Sequence, residues 1–263
     1  HLSIAHAATQ ADGEEARWLA AEHYFDARAW ELGWEVALEV AEEAIHDGRG
    51  EQARSLLERM LEVADSDENL APVLRLSFLL EEMQQNYREA LALCEQLLER
   101  VDDDVERAET LVNVGELEIR QGEFDSALET FSAARSVLAS VDGQKTLRLR
   151  SILGDAEAYY LAGEHETSAR HAREVLDETG GDDVGADGDC VTLHRARLKA
   201  QNLLGKIAIF REAYDEAETW FEEVRCGADE WSWTSEICRA DANLGIISMQ
   251  RAEHDAALTY LER

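Results

Sequence analysis

The chain has 263 residues, of which 25 are Lys or Arg and 57 are Asp or Glu, for a formal charge of −32. So negative a field repels phosphate and argues against general nucleic-acid binding, and no apolar run approaches the ~20 residues that a membrane-spanning helix needs. Pro72 is the only proline in a sequence crowded with Ala, Leu, Glu and Arg. This composition predicts helix nearly throughout, and the length is better served by stacked repeats than by one core.

Lysine is almost absent: Lys145, Lys199 and Lys206 are all there is. A large acidic excess with so little lysine is the balance of proteins adapted to high salt, where screening offsets self-repulsion. Cys94, Cys190, Cys226 and Cys238 are unevenly spaced with no C-x-x-C pair, and are expected as small reduced residues packed between helices. With no basic and apolar leader, a cytoplasmic location is expected. The sequence opens in mid-pattern and stops at Leu261–Arg263 inside a predicted helix, as a piece of a longer protein would.

In chain order, residues 1–33 read as N-terminal helices carrying Trp18 and Trp30, with Trp34 just beyond. A turn residue followed five positions later by a small one then recurs: Gly48 and Ala53, Gln85 and Ala90, Gly122 and Ala127, Gly163 and Ser168, Glu212 and Ala217, Ala252 and Ala257. The small residue returns at intervals of 37, 37, 41, 49 and 40. The pattern predicts six helix hairpins near 34–66, 67–103, 104–140, 144–179, 190–227 and 230–263. Asn69 is expected to cap the second unit, with Pro72 in the first helical turn. His165 and His171, six apart, do not share the one-turn spacing of a metal pair and read as solvated.

Residues 180–189, GGDDVGADGD, cannot be helical and account for the longest interval. Asp182, Asp183, Asp187 and Asp189 lack the spacing of a calcium loop and read as solvated charge. Farther on, Trp220 is expected in the core beside Phe221. Trp231 and Trp233 share a face only in extended backbone, and one of them is a candidate exposed anchor.

The unit from Ala108 to Val137 places Leu111, Val114, Gly115, Gly122, Phe124, Ala127, Phe131 and Ala134 where large, small, turn and aromatic residues alternate in a way that resembles the tetratricopeptide repeat. Leu204, Gly205, Tyr214, Ala217, Phe221 and Val224 repeat it, and Leu244, Gly245, His254, Ala257 and Leu261 follow. Phe78 and Ser168 depart from the small-residue positions. The resemblance implies an all-α, right-handed superhelix (α-solenoid) of about six hairpins with N-terminal helices. The first 65 residues, among them Trp18, His23, Tyr24 and Gly48–Leu61, are similar to the segment joining the nucleotide-binding module to the repeats in signalling ATPases of the maltose-regulator type, and to segments that follow some bacterial kinase domains. That implies an upstream ATPase or kinase module.

In such arrays the second, fifth, ninth and twelfth residues of each first helix face the concave groove. Carried onto this chain, the rule gives Arg75, Asn113, Arg150, Leu153, Tyr160, Lys199, Asn202, Lys206, Ile209 and Arg239, with Ile246 and Met249 adding apolar surface. Some chaperone-binding members clamp a peptide carboxylate with Lys, Asn, Asn, Lys and Arg. Here Arg75, Leu79, Asn113, Arg150 and Gly154 stand at those places, a poor match. The expected partner is a protein or peptide, acidic in character, or the parent's own effector module, unless the cations simply pair with neighbouring glutamates. A sensor that takes a metabolite or sugar in a pocket lined by Tyr159, Tyr160 and Trp side chains is the alternative. With no Walker loop, glycine-rich nucleotide turn or nucleophile elbow, no catalytic, cofactor or metal site is expected.

Overall fold

A computed structural model describes residues 1–9, 13–64, 66–180 and 189–262. The architecture is all-α, of the α-solenoid class: among the described residues there are fourteen helices and no strand. None of these helices is long and apolar enough to cross a membrane. The Asp-rich stretch with Asp182, Asp183 and Asp187 lies outside the described residues.

The chain divides into two compact units, residues 1–117 and 118–263. The first holds α1 (Leu2–Ala8), α2 (Glu14–Asp26), α3 (Trp30–His46), α4 (Gly50–Val63), α5 (Asp67–Met83), α6 (Tyr87–Leu98) and most of α7 (Asp104–Gln121). Consecutive helices pack as antiparallel neighbours from α1 to α6, and α3 also touches α5. Their core is built around Ala37, Ala41, Ala44, Ile45, Leu57 and Met60, with Trp18, Trp30 and Trp34 laid against its edge. The small side chains on α3 let helix axes approach, and the long ones of α4 fill the space left.

The second unit contains α8 (Phe124–Leu138), α9 (Lys145–Leu161), α10 (His165–Thr179), α11 (Asp189–Phe210), α12 (Tyr214–Glu230), α13 (Thr234–Gln250) and α14 (His254–Leu261). Each helix packs on the next, and α9 also packs on α11. Glycines admit the aromatic rings. A Cβ on Gly154 would lie 2.2 Å from Cζ of Phe131, and one on Gly205 would lie 2.7 Å from Cζ of Phe221. Both rings are completely buried, so Phe131 of α8 locks its hairpin to the following helix α9, and Phe221 of α12 locks α11 and α12 within one hairpin, each ring seated on bare backbone. Gly154, a failed clamp position in the sequence, is thus a packing residue. Ser168, a departure from the repeat, keeps its place because its fully buried hydroxyl donates to the Ala156 carbonyl at 2.7 Å.

The six turn residues read from the sequence all adopt left-handed backbone, with φ of 75° at Gly48, 62° at Gln85, 83° at Gly122, 86° at Gly163, 59° at Glu212 and 61° at Ala252. In each turn the next N–H bonds back five residues, as from Arg49 to the Ala44 carbonyl at 2.8 Å and from Glu253 to Ser248 at 2.8 Å. This backbone closure satisfies carbonyls that a helix end leaves orphaned, and the following helices start without a side-chain cap. At Gln85, Glu212 and Ala252 the left-handed geometry costs about 1 kcal/mol that glycine would avoid.

Other local expectations are corrected. Ser66, not Asn69, caps α5: its Oγ accepts from the Asn69 N–H at 3.4 Å. Pro72 therefore lies inside the helix, beyond the first turn, where it removes one backbone hydrogen bond. The Ser66 cap wins because a serine oxygen reaches the N–H three residues on. Of the cysteines, only Cys94 is a buried interface residue; Cys190 is half-buried, and Cys226 and Cys238 are exposed. Burial pushes the Cys94 thiol up to about 12, which leaves it inert.

One buried charge matters for stability. Asp155 on α9 is 4% exposed and accepts from Arg135 of α8 at 2.7 Å, while its other oxygen has no hydrogen-bond partner. Burial pushes its carboxyl from 3.8 up to about 6, against the pull of Arg135. Below about pH 4 the carboxyl is protonated in both folded and unfolded chain, and no penalty applies. As pH rises through 4 to 6 the unfolded chain ionises first, and the folded state loses up to about 3 kcal/mol from this group. Asp155→Asn removes that dependence, while Arg135 keeps its 3.4 Å contact with the Ser151 hydroxyl. Urea melts at pH 4 and pH 7 should show the variant gaining on the parent by about 2 kcal/mol across that window; parallel curves would contradict the burial effect.

Candidate functional site

Within the second unit, the first helices of successive hairpins line a cleft of about 310 Å³. Leu153, Glu157, Tyr160 and Leu161 come from α9, and Lys199, Asn202, Leu203 and Lys206 from α11. Those spacings of three and four put each set on one helix face. Arg239 of α13 and Arg120, in the last turn of α7, complete the lining.

The floor is apolar, with Leu153 and Leu203 less than a tenth exposed. Above it stand four cations, Arg120, Lys199, Lys206 and Arg239, against one carboxylate, Glu157. None of the four cations is in an ion pair among the described residues. Elsewhere several of the scarce cations are paired, as Arg54 is with Glu81, Arg59 with Asp26 and Arg251 with Glu218. Lys206 is half-buried, and desolvation pushes its ammonium below its ordinary value; nearby Arg239 adds to that and Glu157 opposes it. Its Nζ lies 6.0 Å over the Tyr160 ring, a cation–π geometry. Asn202 is oriented by the Asn243 amide, which donates to its oxygen at 3.3 Å.

Of the ten groove residues read from the sequence, Leu153, Tyr160, Lys199, Asn202, Lys206 and Arg239 meet in this cleft. Arg150 and Ile209 belong to the same unit but do not line it, and Ile209 packs instead beside Phe221 and Ala217. Arg75 and Asn113 lie in the first unit, where Arg75 pairs with Glu106 at 2.5 Å and Asn113 is half-buried and engaged. Arg75 thus follows the reading in which cations neutralise neighbouring glutamates. Sequence reasoning missed Arg120, Glu157, Leu161 and Leu203; the groove rule has no place for a last-turn arginine, but Glu157 is one turn beyond Leu153 on the same face.

Several rings sit elsewhere. His165 and His171 are not solvated but half-buried: His165 lies 4.0 Å from the Phe210 ring and 5.3 Å from Tyr160, and His171 stacks on Tyr159 at 5.5 Å. Desolvation first, then Arg170, lowers the pKa of His171. Trp220 is half-buried at the core's edge rather than inside it. Trp231 and Trp233 meet at 5.6 Å because Ser232 between them adopts φ 55°, and His194 packs on both.

Residues 70–138 match the family model of the tetratricopeptide repeat. Solved structures extend that fold across the chain. A signal transduction ATPase with numerous domains from Pyrococcus horikoshii, which carries a tetratricopeptide repeat sensor, has a TM-score of 0.69 at 15% identity over 99% of this chain and 40% of its own. A tetratricopeptide repeat protein from Parabacteroides merdae gives 0.66 at 15% identity over 98% and 89%, and a Rap protein complexed with competence and sporulation factor gives 0.61 at 16% over 94% and 74%. No curated protein matches in sequence. The chain therefore has the tetratricopeptide-repeat fold, a helical scaffold whose general use is contact with other proteins.

Proposed function

We propose that the chain is a non-catalytic binding region whose second unit takes an acidic peptide or protein segment in the cleft between α9, α11 and α13. The observation that carries this reading is the convergence of four unpaired cations on one apolar floor, in a protein of charge −32. In so acidic a surface the cleft focuses the field on an incoming anion. Carboxylates of an extended segment would meet Lys199, Lys206 and Arg239, and its apolar side chains would rest on Leu153 and Leu203. Similarity to the signalling ATPase with a repeat sensor supports a regulatory role within a larger protein, and the Rap protein solved in complex with competence and sporulation factor is a second protein of similar fold that binds a partner. An open, charged cleft with no Trp in its lining suits a peptide better than a sugar.

Fluorescence anisotropy with a library of labelled acidic peptides tests this. Binders are expected among Asp- and Glu-rich sequences, weakening as salt rises. Combined Lys199→Ala, Lys206→Ala and Arg239→Ala should weaken the best binder about 100-fold, on the scale of a few charge-assisted contacts, without loss of helicity. Undiminished affinity in that variant would place the partner elsewhere.

A further inference from the structure

Two histidines and an aspartate far apart in sequence meet where α1 packs on α2. His1 precedes α1, and His23 and Asp26 lie one turn apart at the end of α2. Nδ1 of His1 is 2.9 Å from Nδ1 of His23, and Oδ2 of Asp26 is 3.5 Å from the first nitrogen and 3.7 Å from the second. The point equidistant from these three atoms lies roughly 2.0 Å from each, within the range of zinc bonds to imidazole nitrogen and carboxylate oxygen. Among the described residues no other His, Cys, Asp or Glu cluster converges in this way.

The surroundings suit a ligand set. The other oxygen of Asp26, Oδ1, accepts from Arg59 Nη2 of α4 at 2.8 Å, which fixes the carboxylate and leaves Oδ2 turned to the histidines. Such an outer partner is what orients a metal-binding carboxylate. His23 is 19% exposed, whereas His1 and Asp26 are 56% and 41% exposed, so the fourth side of the site is open to water. Two imidazoles and one carboxylate favour a first-row transition ion over magnesium or calcium, which prefer all-oxygen shells.

We infer that the α1–α2 hairpin binds one divalent transition metal, best matched by zinc, through His1, His23 and Asp26. The ion supplies what α1 lacks. Packing holds α1 only weakly, since it buries just Ala5 and Ala8, against Ala20 and Tyr24. A bond from His1 to the end of α2 ties the start of α1 to its neighbour, so metal binding and local ordering are one equilibrium.

The test uses the full chain, stripped with chelator and titrated with zinc by calorimetry, and with cobalt followed by its visible spectrum. One equivalent is expected, with cobalt bands of a four- or five-coordinate ion and slower amide exchange across residues 2–8. His1→Ala, His23→Ala and Asp26→Asn should each weaken binding at least tenfold, on the scale of a lost ligand or ligand partner, with the far-ultraviolet spectrum unchanged. If the parent binds zinc no more tightly than these folded variants do, the ion is held diffusely by the acidic surface and the assignment is wrong. A six-coordinate cobalt spectrum with no change in exchange at α1 would overturn it equally.

Discussion

Gly154→Ala is expected to destabilise the protein by about 2 kcal/mol or more, although alanine is the better helix former by about 1 kcal/mol. The new Cβ would stand 2.2 Å from Cζ of Phe131, a ring with no exposed surface and so no room to retreat. Gly205→Ala should follow the same course more mildly, since its Cβ would be 2.7 Å from Cζ of Phe221. Gly245→Ala should reverse the sign. There the nearest atom belongs to Leu261 at 3.3 Å, and Leu261 is 58% exposed and can swing aside, so the gain in helix propensity prevails. Urea midpoints at fixed salt give the order directly. Equal losses at all three glycines would mean that ring seating does not lock the hairpins.

The second large effect concerns salt. In dilute buffer the chain should be markedly less stable than in molar potassium chloride, by about 3 kcal/mol or roughly 10 °C in melting temperature. Fifty-seven acidic side chains face 25 basic ones, and at least four of the basic ones stand unpaired around the cleft. The remainder of the acidic excess repels itself over a screening length that shrinks from about 10 Å at 0.1 M salt to about 3 Å at 1 M. Helicity followed by circular dichroism from millimolar to molar salt measures this. A melting temperature flat across that range would mean that the charge is dispersed widely enough to need no screening.

Several features were legible in the sequence because they are local. The left-handed turns at Gly48, Gly122 and Gly163 are flagged by glycine, and those at Gln85, Glu212 and Ala252 by the small residue five positions later. That signal works because a two-residue link fixes where the next helix can first touch the previous one. Half of the cleft was legible for the same reason: Leu153 with Tyr160, and Lys199 with Asn202 and Lys206, lie on helix faces that periodicity alone defines. The cap of α5 was misread because Ser66 and Asn69 are both good capping residues, and only the geometry selects between them.

Composition and period by themselves determined that this protein is a stack of helical hairpins, where its turns fall, and how acidic its surface is, because each of these follows from neighbours within a turn or two of chain. The tertiary structure alone decided which cations stay unpaired over the cleft while Arg75 is claimed by Glu106, which glycine receives a ring, and that His1 comes to lie beside His23. Partners of that kind are selected by packing between helices, and contacts set across such separations leave no periodic trace in the order of residues.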